Sequence, residues 1–162
     1  MDTNTFNNLI SQTWPDLHVA STLGGGTFGT VYACTKTDAV TGVTQKEAVK
    51  VVRVDFTPED RANAEEEGIP FADYYRAVKE KRLQEIRWMV ALKSPHIVHI
   101  NGYTAIEEPD RSALYILIRM DCLTALDQLR PAHLDDTPEQ AAALAEKVAL
   151  DICDALRVCH QN

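Results

Sequence analysis

A glycine-rich segment near the start of the chain has the spacing of a phosphate-binding loop. Residues 24–31 read Gly-Gly-Gly-Thr-Phe-Gly-Thr-Val and match the pattern GxGxxGxV. Glycine has no Cβ, so backbone N–H groups in such a segment can approach phosphate oxygens closely. The pattern GxGxxG alone does not identify the ligand, because dinucleotide-binding folds share it. A glycine-rich turn that binds nothing is a further alternative.

The residues that follow the last glycine favour a hairpin. A dinucleotide site needs a helix at this point, so that the N-terminus of the helix faces the pyrophosphate. Residues 30–34 are instead β-branched, aromatic and alternating, which is typical of a strand. We therefore predict a glycine-rich β-hairpin and exclude a dinucleotide-binding domain.

Two charged residues, Lys50 and Glu85, lie in apolar surroundings. Lys50 belongs to an apolar, strand-like run, and Glu85 belongs to a helix-like segment three residues before Trp88. An unpaired buried charge is costly, so each residue could compensate the other. We predict that their side-chain N and O atoms lie within about 4 Å. Two alternatives stay open: Lys50 could point to solvent from an edge strand, and Glu85 could pair with Arg82.

The periodicity predicts the elements that position these residues. Alternating or β-branched runs predict five strands, at residues 18–23, 30–34, 47–54, 97–103 and 114–120. Capping signals and apolar spacing predict helices at residues 58–67, 72–93, 124–129 and 138–160. The first three strands have short connections and form an antiparallel meander. The predicted fold class is α+β, a five-stranded antiparallel sheet with one long helix, followed by a helical segment.

Composition excludes several classes of function. The net charge is −8, so the chain lacks the basic patch that nucleic acid or anionic lipid would attract. The N-terminus has no secretory pattern, and no apolar run approaches the length of a bilayer span. The four cysteines lack zinc spacing. We predict no nucleic-acid partner, no membrane contact, no metal site in this segment and a cytoplasmic location.

The landmarks together resemble one family. In order along the chain they are GxGxxGxV, the Ala48-Val49-Lys50 element, a helix glutamate, Pro95-His96-Ile97-Val98 and residues 114–121. This order resembles the eukaryotic-type (Hanks-type) Ser/Thr protein kinases over residues 17–162, most closely the bacterial members. The resemblance implies a kinase N-lobe. It divides the chain into an N-terminal extension (1–16), the N-lobe with its hinge (17–123) and the first helices of a larger lobe (124–162).

The resemblance also implies roles for individual residues. Lys50 would hold the α and β phosphates of ATP, and Glu85 would orient Lys50; these two are the candidate catalytic residues. Met120 would be the gatekeeper, and the backbone of Asp121 and Leu123 would meet the adenine edge. Either Thr124 or Asp127 would meet the ribose. The full set of implied nucleotide-binding residues is Leu23, Gly24, Gly25, Gly26, Thr27, Phe28, Gly29, Val31, Ala48, Lys50, Met120, Asp121 and Leu123.

The family's catalytic loop and DFG motif do not occur in residues 1–162. We therefore expect the ATP-binding portion of a kinase that, when complete, transfers the γ-phosphate to hydroxyl groups of a protein substrate. Mg²⁺ would bind only in the complete kinase, and this chain alone would be inactive. The alternative is a non-catalytic, kinase-like module that binds nucleotide or a protein. The apolar stripe of the last helix predicts a homodimer, or a contact of that helix with residues 124–129.

Overall fold

A computed structural model describes residues 3–125, 128 and 136–161 of the chain. These residues form five strands and four helices. The strands are β1 (His18–Gly26), β2 (Gly29–Thr37), β3 (Thr44–Asp55), β4 (Ile100–Glu107) and β5 (Ala113–Asp121). The helices are α1 (Thr3–Thr13), α2 (Pro58–Glu66), α3 (Phe71–Ala91) and α4 (Pro138–Gln161). Among these residues, no helix is both long and apolar enough to cross a membrane.

The strands form one sheet in the order β1-β2-β3-β5-β4, and every neighbouring pair is antiparallel. The predicted α+β class and the five-stranded antiparallel sheet are confirmed, as is the meander of the first three strands. Because β3 lies between β2 and β5, it is the central strand. Lys50 is therefore not on an edge strand, and that alternative is wrong.

Each face of the sheet has its own apolar core. Val49 and Val51 pack on the face that α1 covers, together with Tyr32 and Tyr115. Val52 and Ile116 belong to the opposite face, which α3 covers. Successive residues of β5 alternate between the two cores, and Ala113–Ile118 are all buried. A strand covered on both faces is expected to be continuously apolar, as this one is.

Helix α1 is the element that the sequence did not predict. Residues 1–16 were expected to be an extension, yet Ile10 and Leu17 are completely buried against the sheet. The Phe6 ring lies 6.1 Å from that of Tyr32, and 6.3 Å from that of Tyr115, between centroids. The helix is rich in Asn, Ser and Thr, which lowers its intrinsic helix propensity, although Phe6, Leu9 and Ile10 recur at helical spacing. Packing of a few apolar side chains stabilises it.

The segment between α3 and β4 shifts two of the predicted boundaries. Helix α3 ends at Ala91 rather than residue 93, and β4 begins at Ile100 rather than residue 97. The Ser94 hydroxyl accepts a hydrogen bond from the His96 N–H at 3.1 Å, and the Ser94 carbonyl accepts one from the Ile97 N–H at 3.3 Å. Pro95 disfavours helical backbone at Ser94, so the chain turns here before it enters the sheet.

Helix α2 follows the predicted capping box. The Asp60 N–H donates to the Thr57 hydroxyl at 3.2 Å, and the Thr57 N–H donates to the Asp60 carboxylate at 2.7 Å. Pro58 occupies the first turn, where its missing N–H costs nothing. Gly68, with a φ of +69°, ends the segment and lets the chain turn into α3.

Candidate functional site

The glycine-rich hairpin is the connection between β1 and β2. Strand β1 continues through Gly26, and β2 begins at Gly29, so that only Thr27 and Phe28 form the turn. Gly29 has a φ of +109°, and a Cβ there would lie 2.3 Å from the carbonyl oxygen of Val51. Both facts exclude any other residue at position 29. This glycine is required by the fold itself.

Gly24 and Gly26 differ from Gly29 in this respect. A Cβ at either position would meet nothing within 4 Å, and neither residue has a φ in the left-handed region. The fold therefore does not need glycine at these two positions. Glycine inside a strand commonly marks a place where a ligand or another backbone approaches closely. The space beside the hairpin suits such a ligand.

Lys50 faces the same side of the sheet as Val31 of the hairpin. The register pairs Lys50 with Val31 on β2 and with Ile118 on β5, and directly opposite residues share a face. This is the α3 face, because Val52 and Ile118 belong to the core beneath α3. Lys50 is half-buried. The central strand thus places Lys50 opposite the strand that follows the glycine-rich turn, on the α3 face.

A second row of paired residues lies next to this one. Ala48 is buried and pairs with Ala33 on β2 and with Met120 on β5. Met120 is half-buried and also pairs with Ile100 on β4. The two rows bring Val31, Ala48, Lys50 and Met120 onto one face of three adjacent strands.

The predicted ion pair between Lys50 and Glu85 is not formed. Glu85 Oε2 instead lies 3.3 Å from Arg82 Nη1, and 42% of the Glu85 side chain is exposed. No ion pair within the described residues involves Lys50. Leu83 and Ile86 are the buried residues of this part of α3, so Glu85 lies beside the buried face, where Arg82 reaches it across one turn. The alternative that paired Glu85 with Arg82 is therefore the observed one.

The end of β5 carries the residues predicted to meet the adenine. The Asp121 N–H donates to the His99 carbonyl at 3.1 Å, and the Asp121 carboxylate accepts a hydrogen bond from Asn101 Nδ2 at 3.1 Å. Leu123 is 66% exposed. Thr124 is exposed as well, whereas Asp127, the other candidate for the ribose, lies outside the described residues.

The remaining predicted residues surround the hairpin. Leu23 is half exposed. It is an extra residue on β1, because its neighbours Thr22 and Gly24 pair with two consecutive residues of β2. A Cβ on Gly25 would make only an ordinary contact with Thr30. Phe28 is 80% exposed at the tip of the hairpin.

A buried ion pair between Glu47 and Arg119 was not predicted. Arg119 donates from both Nε and Nη2 to the Glu47 carboxylate, the second bond at 2.8 Å. The Glu47 side chain is only 11% exposed, and the Arg119 side chain only 16%. The hydrogen bonds to Glu47 raise the pKa of Arg119 above its ordinary value. The sequence carried a signal for Arg119, which follows the apolar run Ala113–Ile118, but none for Glu47, which follows the polar residues Gln45 and Lys46.

Helix α4 contacts the turn that precedes β4. A groove of about 490 Å³ lies between them, and the helix contributes Val148, Ile152 and Leu156 to its lining. Asp151 Oδ1 of α4 lies 3.5 Å from His96 Nδ1. This contact is neither of the two that the sequence predicted for the apolar stripe. No described residue of α4 is buried, and the predicted homodimer stays a prediction.

Comparison with known proteins adds no relative to these observations. No protein-family model matches the chain, and a search of curated proteins finds no match either. The resemblance to protein kinases therefore depends on the sequence motifs alone.

Proposed function

We propose that the chain is the ATP-binding portion of a Ser/Thr protein kinase. One observation supports this proposal most: Lys50 lies on the central strand, on the α3 face, directly opposite Val31 of the glycine-rich hairpin. A nucleotide whose phosphates lie beneath the hairpin would find a cation at that place. The open space beside Gly24 and Gly26 is consistent with such a ligand.

Each group in the site would have a defined part in binding. The backbone N–H groups of the hairpin would donate to phosphate oxygens, and the Lys50 ammonium would donate to the α and β phosphates. The adenine ring would pack on Val31 and Ala48, with Met120 behind it, and the backbone after Met120 would meet its polar edge. Bound ATP would supply the phosphoryl group that a complete kinase transfers.

The arrangement of α3 favours a state that is not set for transfer. Protein kinases transfer phosphate only when the strand lysine pairs with the helix glutamate. Here Glu85 pairs with Arg82 instead. That contact also supports the second candidate, a non-catalytic module that binds nucleotide. Glu85→Gln distinguishes the kinase portion from the non-catalytic module. The variant should weaken ATP binding if the Lys50–Glu85 pair forms when the ligand binds. It should leave the ATP affinity unchanged if the chain is a non-catalytic module.

The test is titration of ATP and adenosine into the purified chain and two lysine variants. The wild-type Kd for ATP should be on the order of several hundred micromolar. Ligand at ten times Kd should then stabilise the fold by about 1.4 kcal/mol. Lys50→Met should weaken ATP binding about tenfold through loss of charge-assisted hydrogen bonds, and should leave adenosine binding unchanged. Lys46→Met, on an exposed residue of the same strand, is the matched control.

An equal affinity of wild type and Lys50→Met for ATP would refute the role of Lys50. Absence of ATP binding to the wild-type chain at millimolar concentration would refute the proposal as a whole. Phosphotransfer by residues 1–162 is predicted to stay at background, because they contain neither a catalytic loop nor a DFG motif.

A further inference from the structure

We propose that Glu47 and Arg119 are a positioning pair, which fixes the end of β5 where the nucleotide base would be recognised. The inference deepens the proposed function and rests on it. Neither side chain faces the candidate site. Both act from the opposite face of the sheet, through the backbone of β3 and β5.

The pair flanks the two residues that would enclose the adenine. Glu47 immediately precedes Ala48 on β3, and Arg119 immediately precedes Met120 on β5. The register pairs Ala48 with Met120 and Glu47 with Asp121. The Glu47–Arg119 hydrogen bonds therefore cross diagonally behind the Ala48–Met120 pair and join the two strands at that point.

On its other side, β5 pairs with β4, and the register of this pairing is interrupted near the end of β5. Ile100 pairs with Met120, whereas the next pair along the ladder is Gly102 with Arg119, so Asn101 is an extra residue on β4. Such a bulge interrupts the ladder and lets the strand bend. The Asn101 side chain reaches Asp121, but this contact is exposed. On the β4 side, the end of β5 is therefore held by this exposed contact and by the hydrogen bond from the Asp121 N–H to the His99 carbonyl, whereas on the β3 side the Glu47–Arg119 pair adds a part-buried link between side chains.

The chemistry of the pair suits a positioning role. A guanidinium that donates two parallel hydrogen bonds to one carboxylate allows little sliding or rotation between the groups. A buried ion pair adds little stability compared with apolar residues of similar volume, but the removal of one partner leaves an uncompensated charge. The pair therefore contributes mainly to the geometry of Met120–Leu123.

The experiment separates recognition of the base from recognition of the phosphates. Adenosine and inorganic tripolyphosphate are titrated separately into the chain, with amide chemical shifts as the readout. Arg119→Met should weaken adenosine binding about tenfold, since small misplacement of a binding group has effects of this size or larger. The affinity of the same variant for tripolyphosphate, which the hairpin and Lys50 would bind, should change less than about twofold. Lys79→Met, which breaks the ion pair between Lys79 and Glu107, should change neither affinity.

Two further variants keep the test independent of stability. Glu47→Leu/Arg119→Met should restore the melting temperature but not the adenosine affinity, whereas the charge swap Glu47→Arg/Arg119→Glu should restore both. Recovery of adenosine affinity in the apolar double variant would overturn the inference. If the wild type binds both probes and Arg119→Met keeps the ratio of the adenosine affinity to the tripolyphosphate affinity, only this inference fails. If the wild type binds neither probe, the proposed function fails, and the inference fails with it.

Discussion

The glycines of the GxGxxGxV motif differ in whether the fold itself requires them. Gly29 is required by the chain, because its φ and the nearby Val51 carbonyl exclude a side chain. Gly24 and Gly26 have open space around them and no left-handed φ, although Gly24 adjoins the bulge at Leu23. A ligand that approaches the hairpin would supply a reason for glycine at both positions. Substitution at these positions therefore separates stability from binding.

Gly29→Ala should lower the free energy of unfolding by about 1–3 kcal/mol or more, the cost of a strained backbone. Gly24→Ala and Gly26→Ala should change it by less than about 0.5 kcal/mol. Urea unfolding followed by circular dichroism measures all three. Equal destabilisation at positions 26 and 29 would show that the hairpin glycines serve the fold alone.

Cys34 should be much less reactive than the other cysteines. Its side chain is buried on the α1 face, and burial, followed by the nearby Glu47 carboxylate, raises its pKa to about 11. Thiolate is the reactive form, so little of it exists at pH 8. Alkylation with iodoacetamide and peptide mass spectrometry should modify the exposed Cys153 and Cys159 first. Rapid modification of Cys34 in the folded chain would contradict this environment.

At the scale of elements, periodicity predicted most of the fold. The five strands and the helices that became α2, α3 and α4 were found where apolar spacing and capping residues indicated them. Helix α1 was missed because its Asn, Ser and Thr residues lower the intrinsic helix propensity, so that packing of Phe6, Leu9 and Ile10 against the sheet stabilises it. The start of β4 was misplaced because Ser94 and Pro95 turn the chain first.

The candidate site was predictable only in part, for a related reason. The resemblance named Val31, Ala48 and Lys50 as residues of one site, and the strand register puts them on one face of the sheet. The contacts of long charged side chains depend on which partner is nearest in space. Glu85 meets Arg82 on its own helix, and Arg119 meets Glu47 across strands that are distant in sequence.

Helix α4 should mediate self-association. Ile152 and Leu156 lie four residues apart on one face of α4 and are each at least half exposed, and burial of such side chains is worth about 1.5–3 kcal/mol each. An antiparallel pair of α4 helices from two copies would cover them. Light scattering should detect a dimer, and Ile152→Glu should reduce it to a monomer. Gln161→Glu, on an exposed residue near the end of α4, is the control. A monomeric wild type at high concentration would rule the dimer out.

For the whole molecule, the important feature is a sheet covered differently on its two faces. Helix α1 seals one face with apolar side chains, and the buried Glu47–Arg119 pair lies on that face as well. On the other face α3 covers the end of the sheet that carries Phe56 and Ile116. The hairpin, Lys50 and the end of β5 lie around the rest of that face. A nucleotide would enter there.

The most direct measurement is the footprint of ATP on the amide resonances of the isotope-labelled chain. Bound ATP should cause shifts that saturate together at residues 24–29, Val31, Lys50 and residues 121–123. Ile10 of α1 and Leu17, which are buried on the opposite face of the sheet, should not shift. Saturable shifts confined to the α1 face, or none at millimolar ATP, would contradict the claim that this fold binds a nucleotide beneath its glycine-rich hairpin.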